Sequence, residues 1–440
     1  MSIFERAFRL SEHGTSVRTE VLAGVTTFLT MAYIVAVNPS ILGLTGMPVA
    51  AVAAATCVAA GVGSILMGLF ANYPIALAPG MGLNAYFTFT VVKGMGVPWQ
   101  TALACVFISG VAFLLLTFAG VRQVIIAAIP RPLLAAVAAG IGLFIAFIGL
   151  KEAGIIVADP NTTVTLGKLT TPATALAILG LVVIAALQAW RVKGAILIGI
   201  LIATVGGVLL GLVKWAPQTA SVAEMTATAF KLDFPSVLHL KGGGWVAILE
   251  ILFVFLFVDL FDNVGTLVGV TKKAGLVAAD GTIPRLNRIL VVDSVATMVG
   301  AVAGTSTTTS YIESAAGVAA GGRTGLTAVV TGLLFLAALF LTPLVQMIPA
   351  AATAPALILV GAMMMGPLTE IVWDDPMEAI PAFLTLAAIP LTFSIANGLS
   401  IGVTAYAALK LLRGRARPKD WVLFVLAALF VARFVYLAAA

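Results

Sequence analysis

Six hydroxyl residues in succession, Thr305 to Ser310, are followed by Tyr311 and an acid, Glu313, within the glycine-flanked stretch GTSTTTSYIESAAG. Apolar runs of near-spanning length lie on both sides of it. A polar patch with a carboxylate at bilayer depth is costly unless protein or a wet cavity encloses it. Such a patch is expected to be half of a substrate site in a transporter, and Glu313 to act as a hydrogen-bond acceptor or proton carrier. The competing reading makes Glu313 a buried cap on a half-helix. A second pair of acids, Asp259 and Asp262 in FVFLFVDLFDNVGTLVGV, lies three residues apart, on one face of a regular helix. An ionised Asp near the bilayer centre costs about 2.5–3.5 kcal/mol on the insertion scale. These acids should therefore be paired, hydrated or protonated, and a carboxyl that changes protonation can carry a coupling proton. The alternative for both is a polar contact between packed helices.

A third polar group stands in APGMGLNAYFTF, where Asn84 is followed by Tyr86 and Phe87. An amide reads a donor–acceptor edge and an aromatic ring stacks on a flat ligand, although rings in apolar surroundings more often pack. Asp293 reads as an interhelical contact and Glu250 as a hydrated acid near the mouth of its run. Asp374, Asp375 and Glu378 in WDDPMEAIP read as an acidic loop or helix start. Cys57 and Cys105 lie inside apolar runs and read as small buried hydrophobes, and His13 and His239 lie outside those runs. An intramembrane enzyme would need a nucleophile or a metal set, and neither is visible.

The elements that position these groups must be membrane spans: 61% of residues are hydrophobic and only 10% charged, with 43 glycines and 20 prolines suited to close and broken helices. The net charge of +6 is dispersed between apolar runs, a topology signal rather than a nucleic-acid surface. The charged start, MSIFERAFRLSEHGTSVRTE, lacks the pattern of a cleaved signal peptide. Spanning runs read as 20–37, 48–71, 99–119, 131–149, 173–190 and 194–214, then 245–270, 289–303, 325–345, 353–370, 378–395, 397–412 and 420–438. Two further stretches, 78–92 and 304–320, are too broken for full helices. Leu83 to Val92, rich in aromatic and β-branched residues, reads as extended.

An internal repeat joins these pieces. Gly80 and Gly304, where the broken stretches begin, are offset by 224; Asn38 and Asp262 share that offset, and Pro132 and Pro355 differ from it by one. Two halves of seven elements, roughly 1–230 and 231–440, require the second to start from the opposite side, an inverted repeat of the kind built into secondary transporters. Basic loops place the N-terminus in the cytoplasm. The scheme strains at the end. RGRARPK (413–419) falls outside if 420–438 pairs with 194–214, and the run 378–395 has no counterpart in the first half, so one hairpin is expected to enter only partway.

GMGLNAYFTFTVV, FVDLFDNVGTLVGV and GTSTTTSYIESAAGVAAGGRTGLTAVVTG together resemble the AzgA-like purine permeases of the nucleobase–ascorbate transporter family. The likeness runs from VLAGVTTFLTMAYIVAVNPSIL to WDDPMEAIPAF. It implies an all-α polytopic membrane protein of fourteen transmembrane segments in a 7+7 inverted repeat, with segments three and ten short and partly β-like. A core domain (20–119 and 245–345) and a gate domain (131–214 and 353–438) would be joined by the polar linker 215–244. The implied function is proton-coupled uptake of adenine, guanine or hypoxanthine across the plasma membrane, the inner membrane in a bacterium. Carried over by motif, Asp259 and Glu313 would hold the purine, with Asn84 contributing and Asp375, from the acidic motif, as a fourth contributor. Related uracil and xanthine carriers have Glu in place of Asp259, and the shorter acid leaves room for a bicyclic base.

The expected substrate set is thus Asp259, Glu313, Asn84, Tyr86, Phe87 and Ser310, and the proton-coupling set Asp259, Asp262 and Glu313. No cofactor or metal is expected beyond a co-transported H+. Expected partners are the purine, membrane lipid and a second copy through the gate domain, with no nucleic acid. The alternatives are a sulfate-type anion carrier of the same fold, which would not place two carboxylates at its site, and a uracil or xanthine carrier.

Overall fold

The computed structural model describes residues 3–120, 130–212, 222–237, 245–278, 282–345 and 347–439. Its centre is a pair of three-residue strands, β1 (Leu77–Pro79) and β4 (Thr308–Ser310), which run antiparallel with Leu77 opposite Ser310 and Pro79 opposite Thr308. The ladder extends at both ends, since Gly80 N–H donates to Thr307 O at 2.9 Å and Tyr311 N–H to Ala76 O at 3.0 Å. Inside a bilayer, unpaired backbone groups have no water to bond. Two broken segments therefore satisfy each other.

Each strand leads into a short helix. α4 (Met81–Ala85) follows β1 and continues as wider π-type turns over Tyr86–Gly94. α11 (Ser314–Ala319) follows β4. This corrects the reading of Leu83 to Val92 as extended: only the residues before Gly80 are strand. The β-branched and aromatic side chains there favour a strand in water, but an unpartnered strand within the membrane cannot satisfy its own backbone, whereas helical turns can.

Around this crossing pack α1 (Val17–Met31), α2 (Ile34–Leu42), α3 (Val49–Leu66), α5 (Trp99–Phe118), α9 (Trp245–Lys273), α10 (Leu286–Ala303) and α12 (Gly325–Ala337). α12 lies on α1 and α3, α10 on α3 and α5, and α9 on α5, α11 and β4. Glu20 of α1 anchors the start of α12. Its fully buried carboxylate accepts from Arg323 N at 2.9 Å, Thr327 N at 3.2 Å and Thr327 Oγ1 at 2.5 Å. Gly304, at φ +100°, ends α10 where the linker residue Thr228 closes over it, so any side chain there would collide.

A second group comprises α6 (Arg131–Glu152), α7 (Pro172–Ala189), α8 (Ala195–Leu209), α13 (Ala350–Met363), α14 (Pro376–Leu391) and α15 (Ile395–Leu412). α6 packs on α13, α14 and α15, and α7 on α8 and α13. Gly149 lets α6 approach α13, where a Cβ would stand 2.8 Å from Ala354 O. A hairpin of β2 (Ile156–Asp159) and β3 (Thr163–Leu166) joins α6 to α7. Among the described residues, eight helices are long and apolar enough to cross a membrane, and four more apolar helices are shorter.

The end of the chain resolves the strain in the charge pattern. Leu368 and Ile371 pack on Ala135 and Ala136, near the start of α6. Arg413 Nη1 lies 3.9 Å from Asp375 Oδ1, just before α14. RGRARPK therefore lies on the same side as Arg131, in keeping with the other basic loops, rather than opposite. The last helix, α16 (Trp421–Ala439), runs antiparallel to the first half of α9, with Phe430 edge-on to Phe253 and Arg433 against Glu250.

Candidate functional site

Three elements bring side chains to the crossing. Glu313 is the residue before α11, but its carboxylate makes no cap bond to that helix. Instead it accepts from the hydroxyl of Tyr33, between α1 and α2, at 2.6 Å. The half-helix cap reading therefore fails. Asp262 of α9 stands over the start of α4, with Oδ2 3.8 Å from where a Cβ on Gly80 would lie. The carboxyl groups of Asp262 and Glu313 and the hydroxyl of Tyr311 lie within electrostatic range of one another. Tyr311 in turn donates to Pro79 O at 2.5 Å, tying the second broken segment to the first.

Asp262 and Glu313 are half-buried, set between enclosed residues and the exposed Ile312. Tyr33 is 1% exposed, Tyr311 6% and Asp259 3%. Neither Asp262 nor Glu313 has a lysine or arginine partner among the described residues. Two carboxyl groups without a counter-cation suit a neutral ligand rich in N–H donors, or a proton, and repel an anion. Among the described residues no group of His, Cys, Asp and Glu could hold a metal.

The remaining expected residues have varied placements. Asp259 is buried on α9, one turn before Asp262. Asn84 is fully buried, and its Oδ1 accepts from Ser306 Oγ, so its carbonyl braces the second broken segment. Tyr86 is fully buried with its ring edge-on to Phe255 at 5.1 Å, one turn before Asp259. Phe87 is fully buried in the apolar core. Ser310 pairs through its backbone, while its Oγ, like the side-chain oxygens of Thr307, Thr308 and Thr309, makes no hydrogen bond among the described residues. Asp293 is buried on α10. Asp375 caps α14, accepting from Met377 N at 3.0 Å, as expected of a helix start; it is not brought to Glu313. Glu250 is not simply hydrated but ion-paired with Arg433.

Several contributing residues escape the sequence reading. Tyr33 looked like one more aromatic in an apolar run, and Ser306 was one hydroxyl among six. Asn38 was noted only as a repeat landmark. Its Nδ2 donates to Thr56 Oγ1 at 2.7 Å and to Thr305 Oγ1 at 2.9 Å. Asn38 of the first half thus touches the second broken segment, and its counterpart Asp262 stands over the first. That reciprocal exchange is what an in-plane two-fold between halves produces.

A helical bundle closed around two broken segments that meet antiparallel at its centre defines a multi-pass membrane protein. The fold matches the transmembrane domain of BicA, a cyanobacterium bicarbonate transporter, with a TM-score of 0.68 and 15% identity over 88% of this chain and 97% of that one. At that identity the likeness is one of fold. The profile of the permease family matches residues 18–435, and the chain belongs to that family. It is 46% identical to the adenine permease AdeP of Escherichia coli K12, covering 99% of this chain and 96% of that protein. It is also 46% identical to the guanine/hypoxanthine permease PbuG of Bacillus subtilis, covering 98% and 99% respectively. The resemblance carried by the three sequence motifs is borne out.

Proposed function

We propose that this protein is a secondary active carrier that takes up purine nucleobases (hypoxanthine, adenine or guanine) together with protons. The observation that carries this reading is the pair of neighbouring acids, Asp262 and Glu313, over the crossing of the broken segments with no lysine or arginine beside them among the described residues. Relatives that are adenine and guanine/hypoxanthine permeases give the substrate class. A neutral planar base presents N–H donors to carboxylates; Asp259 and Phe255 follow one and two turns along α9 from Asp262, and Tyr86, after α4, meets the Phe255 ring edge-on. Asn84 and Ser306 hold the second wall in place. Ser310, with its free hydroxyl, offers a further donor or acceptor, and Phe87 backs the wall.

Uptake of a neutral base gains nothing from membrane voltage, so accumulation needs a co-transported ion. The lack of a lysine or arginine beside Asp262 and Glu313 among the described residues favours a proton, and Asp259, Asp262 and Glu313 are its carriers in this reading. In this reading the group built on α1 to α5 and α9 to α12 is the core (20–119 and 245–345). The group built on α6 to α8 and α13 to α16 is the gate (131–214 and 353–438), which also supplies a homodimer contact. The core shifts against the gate to expose the crossing alternately to each side. The fourteen-segment count, the plasma-membrane location and the cytoplasmic N-terminus belong to the same reading. A sulfate-type substrate is disfavoured because it would meet two carboxyl groups at close range.

The test is uptake of radiolabelled hypoxanthine, adenine, guanine, xanthine and uracil in cells lacking their own carriers, with and without a protonophore. Saturable purine uptake that collapses with the proton gradient is expected. Uptake of uracil alone, or purine uptake indifferent to the protonophore, would sink the proposal.

A further inference from the structure

The part of α9 that leads to the acids carries a second charge cluster. Glu250 precedes Asp259 by nine residues, about 13 Å along a helix. It forms an ion pair with Arg433 of α16, and the same guanidinium nitrogen donates to Asn397 Oδ1 of α15 at 3.0 Å. Both charged side chains are largely enclosed, with 13% exposure for Arg433 and 7% for Glu250. The two remaining guanidinium nitrogens, Nε and Nη1, make no hydrogen bond among the described residues. The Tyr86 hydroxyl, also without a hydrogen bond, lies within electrostatic range of the pair.

The pair joins the two packing groups. α9 lies with α5, α11 and β4, whereas α15 lies against α14 and α6. Its position is on the side of the membrane that bears the β2–β3 hairpin. Asn397 is in the first turn of α15, directly after a turn whose Phe393 ring packs on Phe144 and Phe147 at 5.4 and 5.3 Å. The ammonium of Lys151, at the end of α6, stands 5.8 Å from that same ring. On this side, the Thr90 hydroxyl also donates to Phe393 O across the two groups at 3.0 Å.

An enclosed charge is tolerated only while its partner is in place, so the pair favours the one arrangement of the groups in which it is formed. We propose that Glu250, Arg433 and Asn397 form a latch that closes the hairpin-side route to the acids, and that opening to that side separates the pair. When it separates, Glu250 leaves with the helix that carries Asp259 and Asp262. Arg433 and Asn397 remain with the opposite group, and water solvates both charges. This inference rests on the core-and-gate reading above but is independent of which substrate is carried.

The test uses the full-length chain with Cys57→Ala, Cys105→Ala and Ser310→Cys, labelled in membranes by an impermeant methanethiosulfonate applied from the hairpin side. Glu250→Gln is expected to raise the labelling rate at position 310 by about tenfold or more, each tenfold being about 1.4 kcal/mol of closure lost. The charge-swapped double variant, Glu250→Arg with Arg433→Glu, is expected to restore slow labelling. Asn397→Ala serves if Glu250→Gln does not accumulate, and a smaller rise is expected. Parental labelling rates in Glu250→Gln or Asn397→Ala, even with a lowered melting temperature, would overturn the latch, as would a swapped variant labelled as fast as the single ones. Purine uptake is measured separately in the chain that keeps Ser310, with and without Glu250→Gln. No purine uptake there, with labelling as described, loses only the substrate assignment; purine uptake there, with unchanged labelling in the Ser310→Cys chain, loses only the latch.

Discussion

Tyr33→Phe removes a single oxygen, the one that donates to Glu313 at 2.6 Å. Tyr33 is 1% exposed, and phenylalanine keeps the ring that fills this space, so packing is preserved. A hydrogen bond to a charged group contributes about 1.5–3 kcal/mol, against about 0.5–1.5 kcal/mol for a neutral one. If the hydroxyl holds the Glu313 carboxylate in its ligand-binding orientation, the loss converts to roughly a 10- to 150-fold rise in KM for the preferred purine. Tyr311→Phe is the internal comparison, because it loses a neutral bond to the Pro79 carbonyl and not a bond to a carboxylate. Its cost should fall mainly on the melting temperature of the purified protein, since that bond ties the two broken segments together. Initial-rate uptake over a range of purine concentrations, normalised to the amount of carrier in the membrane, measures the first effect. Tyr33→Phe with a KM within about twofold of the parent would refute the role given to this hydroxyl. So would a Tyr311→Phe variant whose KM rises more than that of Tyr33→Phe.

Asp259→Asn and Glu313→Gln are each expected to abolish purine uptake while immunoblots show normal amounts in the membrane; near-normal uptake by both would move the site elsewhere. Glu20→Ala leaves the N–H groups of Arg323 and Thr324 without their acceptor at the start of α12, and leaves Thr327 only its longer bonds to Thr324 O and the backbone O of residue 20. At about 1–3 kcal/mol for each buried group left unsatisfied, a clear drop in melting temperature in detergent is expected. KM should be unchanged in the protein that survives, because Glu20 lies away from the crossing.

The sequence carried the crossing more clearly than the groups that complete it. Gly80 and Gly304 interrupt otherwise apolar stretches at a shared offset, and a break inside a membrane demands a partner, so the pairing of the two segments was legible. The acids were legible for the same reason: each is costly in apolar surroundings and stands out. Tyr33 and Arg433 were not. A tyrosine in an apolar run is ordinary, and its hydroxyl matters only because Glu313, 280 residues away, is folded against it. Arg433 lies alone in the final apolar run, and nothing local links it to Glu250. Leu83 to Val92 was misread because strand propensity reflects side-chain packing on a sheet, whereas here the absence of water decides the backbone. The hydroxyl run also differs from its simplest reading. The strand pair satisfies most of the backbone there, and of the six hydroxyls, those of Thr305 and Ser306 bond to Asn38 and Asn84.

The antiparallel contact between Leu77 and Ser310 also sets a timetable for biosynthesis. At about 5–20 residues per second, the ribosome needs roughly 10–50 s to make the intervening chain. Throughout that interval the first strand is complete and its partner does not exist. The amino-terminal half must be sheltered during this wait by the insertion machinery, by lipid headgroups or by temporary contacts of its own. Neither half alone then holds the crossing, which comes into being in one late step when the second strand docks. Two halves divided in the 215–244 linker carry one strand each of that pair.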